Sequence, residues 1–420
     1  MEPAPSRPEA IETDVAIAGG GPAGIVLGYL LARAGLQVVV LEKHRDFFRD
    51  FRGDTIHPST MELLAELGLL EEFLKLPHNV MERMTLHFGD KAATLADFRH
   101  LPVRCPYIAF VPQWDFLDLL AREGARLPGF DLRMQAEVTS LIRSGNRVVG
   151  LRAATPQGDL AVRASVVIGA DGRHSIVREK GGFAVQDLGA PMDVLWFRIP
   201  QSGPDRQESF GFFERGEALI LLDRDEYWQC GYLIPKGSWD ALRAGDLTDF
   251  RRRVERLGRL PEGSAAAIGS WEDVKLLTVR VDRVQDWAQE GLVLIGDAAH
   301  AMSPIGGVGI NYAIQDAVAA ANVLVPALKA GRPDAATLQA IQARRERATA
   351  RMQRLQVYLQ DKVLRPALAG DKPVRAPWFL PWLQRLPILR RIPSRVIGMG
   401  FQPEHVQFEL KAPPSCTRAT

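Results

Sequence analysis

The chain has 420 residues, 46% hydrophobic and 24% charged, with a formal net charge of +2. That length supports a large buried core in two or three domains, and the near-neutral balance without a basic stripe argues against a primary nucleic-acid partner. Cys105, Cys230 and Cys416 are too far apart for a metal-ligand or redox pair, so no metal site and a reduced, cytoplasmic setting are expected.

The opening MEPAPSRPEAIET has no basic region followed by an apolar core and reads as a short disordered lead-in rather than a signal peptide. No uninterrupted apolar run reaches the ~18 residues of a membrane span. DVAIAGGGPAGIVLGYLLARAGLQVVVLEKH then switches period twice. Residues 15–18 predict a buried strand, 24–34 a helix closed by Gly35, and 38–41 a second buried strand, together a βαβ unit. In HPSTMELLAELGLLEEFLKL, Ser59 and Glu62 have capping-box spacing ahead of Leu63, Leu64, Leu67 and Leu70 at helical intervals. Residues 83–100 and 186–280 are rich in aromatic and β-branched residues between charged turns, which predicts a mainly antiparallel sheet. A long charged helix is expected over about 334–364, followed by a Pro-punctuated, apolar and basic tail.

Three motifs sit at predicted strand ends. Gly19-x-Gly21-x-x-Gly24 lies between strand and helix, with Glu42 ending the next strand. The first glycine permits a tight turn, the second lets a pyrophosphate reach the backbone, and the third lets helix and strand pack closely. Glu42 is placed to accept hydrogen bonds from a ribose. In VVIGADGRHSIVR, Asp171 and Gly172 follow the apolar run 166–170; the turn suits a ligand, or Asp171 simply caps the next helix. In LVLIGDAAHAMSPIGGVGINYAIQDA, a buried strand ends at Asp297, whose carboxylate suits polyol hydroxyls or a cap. A glycine turn at residues 306–309 then feeds a helix near Ile310 and Asn311, where backbone N–H groups favour negative charge.

In this order the three motifs resemble those of the FAD-dependent class A aromatic monooxygenases, the family of p-hydroxybenzoate, phenol and polyketide hydroxylases, over about residues 14–364. The resemblance implies an α/β fold: a Rossmann-like, doubly wound FAD-binding domain of the p-hydroxybenzoate hydroxylase type, an inserted mainly antiparallel substrate sheet, and a helical C-terminal region. The FAD-binding parts fall at 1–80, 101–185 and 281–365, the last with the long helix. Substrate parts fall at 81–100 and 186–280, and a C-terminal segment at 366–420. FAD is implied as bound cofactor, NAD(P)H as transient co-substrate, and O2 as oxidant, with oxygen adding at flavin C4a before transfer to the substrate.

By the same resemblance, Gly19, Gly21, Gly24, Glu42 and Lys43 hold the ADP half of FAD. Arg52 and Gln113 match family positions near the flavin, and Asp171 and Gly172 form the Asp-Gly signature. Asp297, Gly306, Gly309, Ile310 and Asn311 serve the ribityl chain and flavin ring. Val308 departs from the glutamine or lysine common there, which alters polarity near the ring. The cofactor carries the chemistry, so no protein nucleophile is assigned. Pro304, Asp54 and His57 are candidates near the ring, the last two either handling protons or capping the loop; His300 reads as structural. Trp196, Phe210, Phe212, Trp228 and Tyr232, with Phe197 and Phe213 beside them, offer an aromatic substrate lining, although strand alternation turns about half of them away. The expected substrate is a hydrophobic aromatic: a phenol, quinolone, polyketide or quinone precursor.

Alternatives remain open. Epoxidation, Baeyer–Villiger insertion and double-bond reduction suit the same scaffold, as does a non-catalytic FAD-binding protein. The chain has no second glycine fingerprint or paired cysteines of a reductase, and YWQCGYLIP does not match the Trp-x-Trp-x-Ile-Pro of flavin halogenases. The tail either packs over the substrate domain, the preferred reading, or makes peripheral membrane contact. Monomer and homodimer, and NADH and NADPH, are not distinguished.

Overall fold

The computed structural model describes residues 9–48, 55–201, 209–368, 370, 374, 377 and 379–411. Residues 15–18 are fully buried, residues 38–41 are at most 3% exposed, and Val166, Val167, Ile168 and residues 292–295 are fully buried. Apolar runs buried on both faces belong in a parallel sheet covered by helices. Accordingly Glu9–Ala18 runs parallel to both Val38–Glu42 and Gly158–Gly169, with Phe130–Met134 beyond one and Leu292–Leu294 beyond the other. Glu137–Ser144 and Arg147–Thr155 add an antiparallel extension.

Strand register gathers the motifs. Ala18 lies opposite both Leu41 and Gly169, and Gly169 opposite Leu294. Four strands therefore end at one edge, which sets the three sequence motifs side by side. Glycines bring the helix Pro22–Arg33 close to this sheet: a Cβ on Gly28 would lie 2.8 Å from Val40 Cγ2 and 2.9 Å from Phe130 Cε2. Against the same helix packs Gly309–Ala330. The stretch Ile305–Ala330 is long and apolar enough to cross a bilayer, but 78% of its apolar window is buried inside the protein, as for a core helix.

A second, seven-stranded sheet runs in the order Lys275–Leu277, Met192–Pro200, Tyr227–Pro235, Glu217–Asp223, Ser209–Glu214, Arg83–Phe88 and Lys91–Asp97. Its pairings are antiparallel except that of Ser209–Glu214 with Arg83–Phe88, where segments remote in sequence meet. An amphipathic helix, Leu247–Gly258, covers one face through Phe250, Val254 and Leu257, in a region whose sequence pattern predicts a mainly antiparallel sheet and marks no helix.

Two local expectations are corrected. Ser59 is not an N-cap: the helix Pro58–Glu66 starts after His57 without a side-chain cap, and Glu62 instead accepts hydrogen bonds from the Arg104 backbone and guanidinium at 2.7 and 2.6 Å. The long helix is regular only over Ala335–Leu359, capped by Asp334, and widens to a π-turn at Gln360–Leu364. There Gln356 and Gln360 turn inward to Ser303.

Candidate functional site

The glycine turn after Glu9–Ala18 is built on backbone approach. Gly19 adopts φ +100°, and a Cβ there would lie 2.4 Å from the Ala170 carbonyl oxygen; a Cβ on Gly24 would meet Gly19 O at 1.9 Å. Around Gly21 the space is open. The helix beginning at Pro22 has no capping side chain and no acid in its first turn, so its first N–H groups are left for a ligand. Glu42 is held in place by this turn. Its Oε2 accepts from Gly20 N at 2.9 Å and its Oε1 from His44 N at 3.1 Å, which fixes the carboxylate on the cavity wall. Lys43 is exposed at the same rim.

Asp171 faces two ways. It lines the cavity, yet accepts from Ser175 Oγ and, at 3.1 Å, from Val177 N, capping the short helix Ile176–Gly181. Burial raises its pKa against those hydrogen bonds. Gly172, at φ +81° with open space around it, leaves the turn accessible. The next residue, not singled out from sequence, is Arg173: its Nε lies 3.0 Å from Asp297 Oδ2 and so ties the second motif to the third.

The Asp297 turn is anchored from beneath. Gly296 N donates to Asp316 Oδ2 at 3.1 Å, His300 Nε2 lies 2.5 Å from the same oxygen, and Arg345 Nε donates to Asp316 Oδ1 at 2.9 Å. His300, Asp316 and Arg345 are all buried. Burial works to raise the Asp316 carboxyl, but His300 and Arg345 outweigh it and hold the pKa below the ordinary value. Asp316 sits within an apolar helical run and Arg345 within a run of charges. The carboxylate is an anomaly legible in sequence; the guanidinium, among its charged neighbours, is indistinguishable there from a solvated helix face.

Beyond Pro304, Gly306 and Gly307 adopt φ +78° and +64°, and a Cβ on Gly307 would lie 2.7 Å from Thr55 Oγ1. The turn delivers the uncapped N-terminus of Gly309–Ala330, again without an acid in its first turn, so the N–H groups around Ile310 and Asn311 point positive charge density outward. The Asn311 side chain has a second task. Its Oδ1 accepts from His57 N at 2.9 Å and Thr60 Oγ1 at 2.7 Å, and its Nδ2 donates to Thr55 O at 3.2 Å. Val308 is buried against Met302 and Tyr312. Pro304, Gln113, Gly306, Gly309 and Ile310 all line the cavity.

His57 is corrected as a candidate beside the ring. It is fully buried and absent from the cavity wall, with Nδ1 2.8 Å from Ile397 O. Burial pushes its pKa down to about 4, so the ring is neutral at pH 7. Arg52 and Asp54 lie outside the described residues.

These turns open into one cavity of about 1520 Å³ that continues to the second sheet. There Trp196, Phe213, Gly231 and Leu233 face it. Phe212, Trp228 and Tyr232 do not, which corrects three substrate candidates. Each is buried under Leu247–Gly258, with Tyr232 edge-on to Phe250 at 5.3 Å and Phe212 stacked on His87 at 4.8 Å. Period-two alternation is the reason: Trp196 pairs with Gly231, while Tyr232 and Trp228 pair with Leu195 and Ile199 on the other face. The Phe210 side chain lies outside the described residues. Met81, Met84 and Met192, which no sequence motif marks, complete an apolar wall, and Leu380, Leu383 and Leu389 of the tail close it.

The fit to FAD rests on the chain's own features: two uncapped helix N-termini, open space at Gly21 and Gly172, and two carboxylates, Glu42 and Asp297, on the same cavity. An extended, doubly anionic dinucleotide with polyol hydroxyls matches that set of donors and acceptors.

Comparison with known proteins agrees. The profile of the FAD binding domain family matches residues 12–355. Over 412 residues, 96% of this chain and 97% of the relative, it is 33% identical to the 6-methylpretetramide 4-monooxygenase of Streptomyces rimosus. Among solved structures, p-nitrophenol 4-monooxygenase PnpA from Pseudomonas putida DLL-E4 superposes with a TM-score of 0.70 at 21% identity, covering 93% of this chain and 94% of that one. PqsL of P. aeruginosa, in complex with 2-aminobenzoylacetate, gives 0.71 at 23% identity, covering 85% and 98%. At those identities the two structures establish the p-hydroxybenzoate hydroxylase-like fold.

Proposed function

The chain belongs to the FAD binding domain family, among the class A FAD-dependent aromatic and polyketide monooxygenases, and we propose from that premise that it uses NAD(P)H and O2 to hydroxylate a large, hydrophobic, polycyclic aromatic. The single observation that carries this reading is the continuity of the cavity: a polar, backbone-lined end that fits FAD opens directly onto an apolar end walled by Trp196, Phe213 and methionines. The relative's name, 6-methylpretetramide 4-monooxygenase, supports a polyketide over a small phenol.

Bound FAD would supply the electron transfer from the nicotinamide and the activation of O2. The chain's own residues bind, orient and exclude water. Gly21 and the helix start behind it would carry the pyrophosphate, Glu42 the adenosine ribose, and Asp297 the ribityl hydroxyls. The N–H groups around Ile310 would stabilise negative charge on the pyrimidine edge of the reduced ring. Trp196 and Phe213 would hold the substrate flat against the sheet, and the tail residues Leu383 and Leu389 would keep water out. A cytoplasmic location belongs to the same proposal.

The test is stopped-flow reduction by NADPH and by NADH of the purified, FAD-loaded protein, with and without fused-ring phenols, quinolones and quinone precursors. We expect a polycyclic phenol to accelerate reduction and to emerge heavier by one oxygen atom. Reduction indifferent to every aromatic, or product formed without added oxygen, would overturn the hydroxylase reading in favour of one of the other reactions of this scaffold.

A further inference from the structure

The tail does more than close the cavity. Among the described residues, nine large hydrophobic side chains are at least 40% exposed, and four of them, Trp382, Leu386, Ile388 and Ile392, fall within eleven consecutive positions. Scattered exposed apolar residues are ordinary, but a cluster of this size marks a contact surface. Leu386 N donates to Trp382 O at 2.9 Å, which closes one turn, while Ile388 lies in the next short turn, Pro387–Arg390, and Ile392 at the start of the helix Arg391–Gly398.

Two further observations say what covers it. The first is charge. Between Asp371 and Glu404 the sequence holds six cationic residues and no acidic one. Arg385, Arg391 and Arg395 of this stretch are exposed and form no ion pair among the described residues. The second is position. Trp382 and Ile392 also line the large cavity, as do Tyr358 and Leu276, two more of the nine exposed residues. The apolar face is therefore the rim of the cavity mouth.

We propose that this face, with Trp382, Leu386, Ile388 and Ile392 as apolar anchors and Arg385, Arg391 and Arg395 as headgroup contacts, docks on an anionic lipid bilayer and sets the cavity mouth at its surface. Short amphipathic helices with arginines beside Trp, Leu and Ile lie in the interfacial plane, and each cation near an anionic surface adds on the order of fivefold to affinity. A water-filled mouth would not need an apolar rim. Docking is independent of the proposed oxygenation, since it requires only the folded chain.

The experiment is co-sedimentation of the full-length, FAD-loaded protein with vesicles of phosphatidylcholine alone and of phosphatidylcholine mixed with phosphatidylglycerol. We expect binding to the mixed vesicles only, reversed by high salt. The double variants Leu386→Ser/Ile388→Ser and Arg385→Glu/Arg391→Glu should each lower it at least ~10-fold. Both pairs are exposed, and unchanged flavin absorbance confirms that the variants fold. Failure to bind either vesicle, or equal binding by the variants, overturns the proposal. So does a stable dimer in gel filtration that Leu386→Ser/Ile388→Ser dissociates, because the face would then meet a second copy of the chain.

Discussion

The two ends of the cavity are made of different material. At the cofactor end the wall is backbone: turns at Gly19, Gly172, Gly296 and Gly306, all with positive φ, and two helix starts without capping side chains. At the substrate end it is side chains, contributed by two segments of the second sheet and by the tail, with a glycine, Gly231, where Trp196 lies across the strand. A backbone wall is intolerant of any added atom but indifferent to most side-chain chemistry. A side-chain wall tolerates replacement and changes what it selects.

Breaking the backbone end has the largest expected effect. Gly24→Val puts a branched side chain where even a Cβ lies 1.9 Å from Gly19 O, so the turn must open. The variant should lose more than about 4 kcal/mol of stability and purify without flavin, as read from visible absorbance and urea denaturation. A yellow variant of parental stability would refute the close-approach account. Next comes Asp316→Asn, which takes from the fully buried Arg345 guanidinium the nearer of its two carboxylates and leaves only Glu404, at 3.9 Å. A loss of about 3–5 kcal/mol is expected, together with weaker FAD retention because Gly296 N loses its charged acceptor.

A pH effect of similar or smaller size should come from His57. Its folded pKa of about 4 lies below the ordinary 6.5, so the unfolded chain takes up the proton first. The contribution is complete above pH 6.5 and is lost as pH falls towards 4, reaching about 3 kcal/mol. His57→Asn, whose amide can still donate to Ile397 O, should flatten that part of the melting-temperature profile; an unchanged slope would assign it to other groups. The smallest effects sharpen the contrast between the faces of the second sheet. Trp196→Phe should alter aromatic-substrate KM while changing stability by less than about 1 kcal/mol, whereas Trp228→Phe should lower stability by about 1 kcal/mol and leave KM alone. Equal KM changes in both would contradict the side assigned to Trp228.

Legibility in the sequence follows the same division. Glycine turns are local: Gly19, Gly21, Gly24 and Glu42 lie within 24 residues, and strand, turn and helix can be read from spacing alone. The parallel sheet is legible too, because its strands are buried on both faces and appear as continuous apolar runs. The capping-box spacing at Ser59 misleads because proline already starts that helix, at Pro58, and because Glu62 serves a partner 42 positions away.

Local sequence was enough for the order of the dinucleotide-type turns, the mixed α/β class, the second sheet, and the segment that forms an amphipathic tail. Which aromatic residues face the cavity depended on tertiary packing. Alternation gives two equivalent faces, and Leu247–Gly258 took the one carrying Phe212, Trp228 and Tyr232. Packing also brought His300, Asp316 and Arg345 together beneath Gly296, and laid the tail as a roof over a cavity formed by strands nearly 300 residues earlier. Backbone conformation is encoded over a few neighbours through φ, sterics and capping. A buried charge or a cavity wall exists only once distant segments have excluded water together.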